Sequence, residues 1–154
     1  MKQITAEQRE QLRKPLPPQA ISQHPTKSFL STIKAIYVVE RLNDVFGVGE
    51  WKIKHDIIEK DTKMVVVKGI FTINGYDVEI EQFGGNDNQD KGDAYKGACT
   101  DSLTKIGSYL EIGIDVFKGK QSSAATVNKY PEKKTWQESE SAIPPPDEYS
   151  DIPF

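Results

Sequence analysis

Met64-Val65-Val66-Val67-Lys68-Gly69-Ile70-Phe71-Thr72-Ile73-Asn74-Gly75-Tyr76-Asp77-Val78-Glu79-Ile80-Glu81-Gln82-Phe83 is the stretch that decides the fold. Two runs rich in β-branched and aromatic residues, 64–73 and 76–83, flank Asn74-Gly75, the strongest short hairpin signal a sequence carries. A two-residue turn there places Ile73 opposite Tyr76, Phe71 opposite Val78 and Gly69 opposite Ile80. On the other face it sets Lys68 opposite Glu81, a favourable cross-strand pair. Just upstream, Trp51–Ile57 alternates as well. Trp51, Ile53, His55 and Ile57 share one face, and Lys52, Lys54 and Asp56 share the other. These three strands predict an antiparallel sheet.

Helices are predicted on both sides of it. Thr5 caps a short helix over residues 5–13 with Gln8 three positions on, and Pro15, Pro17 and Pro18 end it. Residues 19–33 read as an irregular connection. Ile36, Val39, Leu42 and Phe46 recur at helical spacing over about 34–46, with Gly47 and Gly49 as the stop. After the loop 84–88, a long helix is expected from about Gln89 to Glu111, ended by Gly113. At 100° per residue Tyr95, Cys99, Leu103, Ile106 and Leu110 form its apolar stripe, with Ser102 at the edge. Ala94, Gly97, Ala98, Asp101, Lys105 and Ser108 then face away. The expected architecture is α+β: a three-stranded antiparallel sheet packed on a long helix, a β-β-β-α core preceded by N-terminal helices.

The chain has 154 residues with 36% hydrophobic content, six Phe and six Tyr, enough for one domain and a tail. Residues 1–120 hold 17 of the 20 Lys+Arg and 17 of the 23 Asp+Glu, so the net charge of −3 resides in residues 121–154. A neutral core binds nucleic acid only where its cations gather in one place. The single cysteine, Cys99, allows no internal disulfide, and no Cys or His cluster suggests zinc. There is no apolar signal region or membrane-length run, so a soluble, cytoplasmic chain with no membrane partner is expected. From about Lys120 the sequence turns polar and then Pro-rich at Pro144-Pro145-Pro146, a composition that favours disorder. The expected division is a domain over 1–119, a linker over 120–145 and an acidic tip over 146–154.

The long helix carries Lys96-Gly97-Ala98-Cys99-Thr100-Asp101-Ser102-Leu103-Thr104-Lys105. This segment resembles the K-x-A-x-T-D-x-L-K-R signature of the Rad fifty-two/Rad twenty-two family of single-strand annealing proteins. Lys96, Thr100, Asp101, Leu103 and Lys105 match, while Thr104 stands where the family carries the first residue of a basic pair. Phe46-Gly47-Val48-Gly49-Glu50-Trp51 is similar to the family's F-G-x-x-x-W segment, and the likeness extends over about residues 12–119. The resemblance implies ring-forming homo-oligomers that bind single-stranded DNA and anneal complementary strands without ATP, in recombination or repair, in a bacterial or phage setting. On that reading Lys105 and Lys96 hold DNA. Lys52 and Lys54, about 7 Å apart on one strand face, join them with Arg41 and Lys91. Each is also an ordinary solvated cation, and Asp101 before Lys105 is an i, i+4 pair that stabilises a helix by itself. Trp51, Tyr37, Tyr95 and Tyr109 are aromatic candidates for base stacking, though core packing suits Trp51 and Tyr95 better. The tip residues Asp151, Ile152, Pro153 and Phe154 resemble the tail of bacterial single-stranded DNA-binding proteins, which implies docking to a recombination or repair protein.

Enzymatic readings find less support. No phosphate-cradling G-x-x-x-x-G-K-[ST] motif occurs, and Asp87–Gly92 lacks the carboxylates of a calcium loop, so no cofactor is expected. Two alternatives stand beside annealing. One is a five-stranded OB barrel that binds single strands passively and has no long helix after the hairpin. The other is a metal-dependent nuclease built on Glu79, Glu81, Asp87 and Asp90.

Overall fold

The computed structural model describes residues 1–24, 27 and 30–120; the expected linker (Lys120 apart) and tip lie outside them. Helix α1 spans Ala6–Arg13, and a 3₁₀ turn at Pro18–Ala20 leads into a two-stranded ribbon of β1 (Ile21–Gln23) and β2 (Ser31–Ile33). Helix α2 (Ala35–Phe46) precedes β3 (Trp51–Lys60), β4 (Val65–Ile73) and β5 (Glu79–Asn86). The long α3 (Lys91–Tyr109) and a single turn, α4 (Ile114–Phe117), complete the order. The sheet is antiparallel in the order β3-β4-β5, and α3 packs across one of its faces. The architecture is the α+β arrangement that the alternation and helical spacing predict, not a five-stranded barrel.

The hairpin turn forms where expected, but its register is offset by two residues. Phe71 pairs with Ile80, Gly69 with Gln82, Ile70 with Glu81 and Lys68 with Phe83. The reason lies in the turn. Gly75 has φ +78° while Asn74 keeps a negative φ, the sign pattern of a type II turn, which splays strands instead of matching their twist. Tyr76 therefore leaves the ladder and bridges Lys2, whose N–H donates to the Gly75 carbonyl at 2.8 Å. Because side chains alternate with period two, a two-residue offset keeps every residue on its expected face. Lys68 and Glu81 still meet at 3.5 Å, as a diagonal pair.

Helix α3 differs from expectation in rotation. Ala94, Ala98 and Ser102, read as outward or marginal, are fully enclosed, whereas Tyr95 and Cys99 are only half-buried. The strand opposite explains this. A Cβ at Gly84 would run into the Ala98 carbonyl and the Ser102 amide, so α3 lies with its backbone against the β5 backbone. Only small side chains fit such a seam. Further along, Leu103, Ile106 and Leu110 enter a core with Leu12, Val38, Leu42, Phe71 and Ile112. On α2 the buried positions are Val38 and Leu42, and Ile36, read as inward, is 66% exposed.

At the other end α1 is seated by polar contacts. Thr5 and Gln8 form a reciprocal capping box, with bonds of 3.1 and 3.0 Å. Arg41 of α2 donates through one nitrogen to the carbonyls of Gln11, Leu12 and Lys14 at 2.9, 2.9 and 2.8 Å, closing the last turn of α1. Arg9 and Arg13 reach Glu111 at 2.7 and 3.0 Å. The Arg9 hydrogen bond, ahead of smaller contributions from both arginines' charge, holds the Glu111 carboxyl below the usual carboxylate range. Glu111 itself takes φ +66°, a left-handed conformation uncommon for a non-glycine residue.

Candidate nucleic-acid interface

One flank of α3 turns away from the backbone seam with β5 and meets only the end of that strand, at Gly85 and Asn86. Gly97, Thr100, Asp101, Thr104 and Lys105 form the wall of a cleft of about 500 Å³. Ser31, Thr32, Ile33, Lys34 and Ala35, where β2 runs into α2, form the facing wall, and Asn86 and Phe117 complete the lining. The Phe117 ring is 52% exposed.

Two features give this cleft positive character. Lys34 occupies the N-cap of α2, and its side chain makes no capping bond to the first turn. A cation beside the positive end of a helix dipole is an electrostatic mismatch that a bound anion would relieve. Lys105 stands on the opposite wall. It pairs with Asp101 at 3.0 Å, and the same Asp101 oxygen accepts the Gly85 N–H at 2.9 Å. Asp101 thereby closes the end of the β5 edge and holds the Lys105 ammonium at the rim. Thr100 and Thr104 donate their hydroxyl protons back to Gly97 and Asp101 carbonyls at 3.0 and 2.9 Å. Their oxygens are therefore left as acceptors.

The six cations singled out from sequence do not converge. Lys105 lines the cleft. Lys96 is exposed, but it lies two and a half helical turns earlier and projects from the opposite side of α3. Lys52 and Lys54 project from the sheet face that α3 does not cover, beside Thr72 and Ile70 of β4. Arg41 is engaged with the end of α1, as above. The Lys91 amine is enclosed without a hydrogen-bond partner among the described residues. The Asp61 carboxyl is held below its ordinary value chiefly by the Lys63 and Met64 N–H groups that donate to it, with a smaller separate contribution from the Lys91 charge. Lys34 and Phe117, by contrast, are brought to the site from outside the helix motif. No local pattern marks either one.

The aromatic and acidic candidates are also placed. Trp51 donates to Asn43 at 2.8 Å and its ring lies 5.8 Å from that of Phe71, so it is a core residue. Tyr109 is 65% exposed, away from the cleft lining. Asp90 caps α3 by accepting the Asp93 N–H at 3.0 Å, and Glu79 and Glu81 stand on the open sheet face. Among the described residues no three His, Cys, Asp or Glu side chains gather as a metal set would.

His55, isolated in the sequence, meets Ser102 at 2.8 Å. This is not a nucleophile and its base. Ser102 is enclosed beneath the sheet and its hydroxyl reaches the Cys99 carbonyl at 2.8 Å. A hydroxyl with no exposure to solvent meets no substrate, so the contact serves packing beneath the sheet. Burial also raises the Cys99 thiol, disfavouring a thiolate.

Among the described residues no helix is long and apolar enough to cross a membrane. No family model matches the chain, and no curated protein matches it.

Proposed function

We propose that this chain binds single-stranded DNA in the cleft between α3 and the β2–α2 junction, and that it anneals complementary strands without ATP as a homo-oligomer. The observation that carries the proposal is the pairing of Lys34, at an uncapped helix N-terminus, with Lys105 on the facing wall. The two cations would hold successive phosphates, and the α2 amide groups would add donors to the same anion. Thr100 and Thr104 present acceptor oxygens suited to base amino groups, and Phe117 offers a ring face to a base. Such a site needs no chemistry. It neutralises and aligns a strand while leaving other base edges free to test a partner. The motif resemblance over Lys96–Lys105 lends the reading its pairing activity, and in the same reading the tip 146–154 recruits a recombination or repair protein.

The test is annealing of complementary labelled oligonucleotides with no nucleotide present. Acceleration over the spontaneous rate is expected, and Lys34→Ala or Lys105→Ala should each flatten the salt dependence of binding. Each lost phosphate contact changes the slope of log K against log salt by about 0.7 for a single strand. Tight binding with no gain in annealing rate would reduce the function to passive protection. An unchanged slope in both variants would remove the cleft from the interface.

A further inference from the structure

The three-stranded sheet has two open edges, β3 over ten residues and β5 over eight, with no strand beyond either among the described residues. Long unpaired edges are templates for another chain unless something blunts them. On the side away from α3, the register aligns level rows across the sheet: Lys52-Thr72-Glu79, Lys54-Ile70-Glu81 and Asp56-Lys68-Phe83. In the first two rows the β3 edge is cationic and the β5 edge anionic at the same height.

We infer that copies of this chain join head to tail through these edges, β5 of one beside β3 of the next, with Glu79 and Glu81 meeting Lys52 and Lys54 of the neighbouring copy. Because β3 and β5 both run against β4, the junction strands are parallel, and the sheet continues from copy to copy without axial offset. The charges disfavour a contact between two β5 edges. Two β5 edges related by a two-fold axis would set Glu79 and Glu81 against the same residues, with no cation on that edge. A head-to-tail contact is heterologous, so it builds rings or filaments instead of closed dimers. Phe83, 53% exposed on the open face, would come beside Asp56 and Ile58 of the neighbour. The stretch available for pairing ends there, since Asp101 already takes the Gly85 N–H. This inference deepens the self-association in the proposed function. It assigns Lys52 and Lys54 to the subunit junction and leaves the cleft to DNA.

The test is made on the full chain without DNA, so its failure leaves the annealing assay unaffected. Wild-type protein should weigh as an oligomer by mass photometry. Lys52→Glu with Lys54→Glu, and separately Glu79→Lys with Glu81→Lys, should each fall to the mass of a single chain. Mixing the two variants should restore large assemblies containing both in equal amounts, since each then offers its neighbour an opposite edge. Monomeric wild-type protein, variants that keep the wild-type mass, or a mixture that fails to reassemble would each overturn the inference. A second arm avoids charge reversal. Neighbouring strands lie about 4.8 Å apart, within disulfide reach. In a Cys99→Ser background, Lys54→Cys with Glu81→Cys should therefore give a covalent ladder on mild oxidation, while either cysteine alone should not. Absence of the ladder in the double variant counts equally against it.

Discussion

Where α3 faces the sheet, Ala94, Ala98 and Ser102 are enclosed and the β5 backbone at Gly84 sets the distance; on the neighbouring flank Gly97, Thr100, Asp101, Thr104 and Lys105 open onto a cleft. Both flanks consist mainly of small or polar residues, so composition does not separate them. What separates them is the opposing surface. Backbone pressed on backbone leaves no side chain able to yield, whereas the cleft wall meets side chains that can move. The first flank fixes the helix. The second is free to carry function.

The sharpest way to break this contrast is a single methyl group. Gly84→Ala would drive a Cβ into the Ala98 carbonyl and the Ser102 amide, neither of which can rotate aside. The expected loss is about 3 kcal/mol, at the upper end for overpacking, read from urea unfolding with unchanged slope. The same change at Gly97 meets the side chain of Asn86, which can give way only by releasing the Asn88 N–H that its Oδ1 accepts, and gains about 1 kcal/mol of helix propensity. Its net loss should be clearly smaller than that at Gly84. Equal losses at the two sites would mean that the flanks are not different.

A smaller effect tests the link between the flanks. Asp101 ties Lys105 to the Gly85 amide, so Asp101→Asn should cost about 1 kcal/mol of stability through the weakened hydrogen bond. If Lys105 contacts phosphate, the same variant should bind single-stranded oligonucleotides more tightly at low salt, because the competing carboxylate charge is gone. Weaker binding at preserved fold would argue that Asp101 positions Lys105 and does not merely compete for it.

The mildest change concerns α1, which is held to the end of α3 by ion pairs and not by a seam. The Glu111 carboxyl lies below its ordinary value in the folded state, so its contribution is present above the unfolded value, near pH 4.3, and is lost as pH falls through the depressed one. Wild type should therefore melt above Glu111→Gln at neutral pH, with the two converging in acid. A gap that stays constant with pH would show that packing of Leu12, and not the charge, seats the helix.

How much of this was legible in the sequence follows from range. Strand faces were readable because alternation is local, and they survived a two-residue register error because the pleat repeats every two residues. The register itself was not, because Asn-Gly suits more than one turn type, and the type II turn formed here sends Tyr76 out of the ladder to Lys2. The rotation of α3 was misread for a related reason. Large residues at helical spacing normally mark the buried stripe, but Gly84 and Gly69, distant in sequence, admit a closer approach by the small face. Within the cleft Lys105 was visible through its motif. Lys34 and Phe117 were not, since neither carries a local signal.

Residue periods, caps and turn formers by themselves determined the order of α1, α2, β3 to β5 and α3, the amphipathic strands, the capping box of α1 and the α+β class. All of these rest on interactions within a few residues. The β1–β2 ribbon, which lies in the stretch 19–33 read as an irregular connection, is not among them. Only the tertiary structure decided which flank of α3 is buried, that Arg41 closes α1, that Asp101 binds Gly85, and that Lys34 and Lys105 share a cleft. Those facts depend on how closely two backbones can approach, a distance that residues far apart in the chain set together.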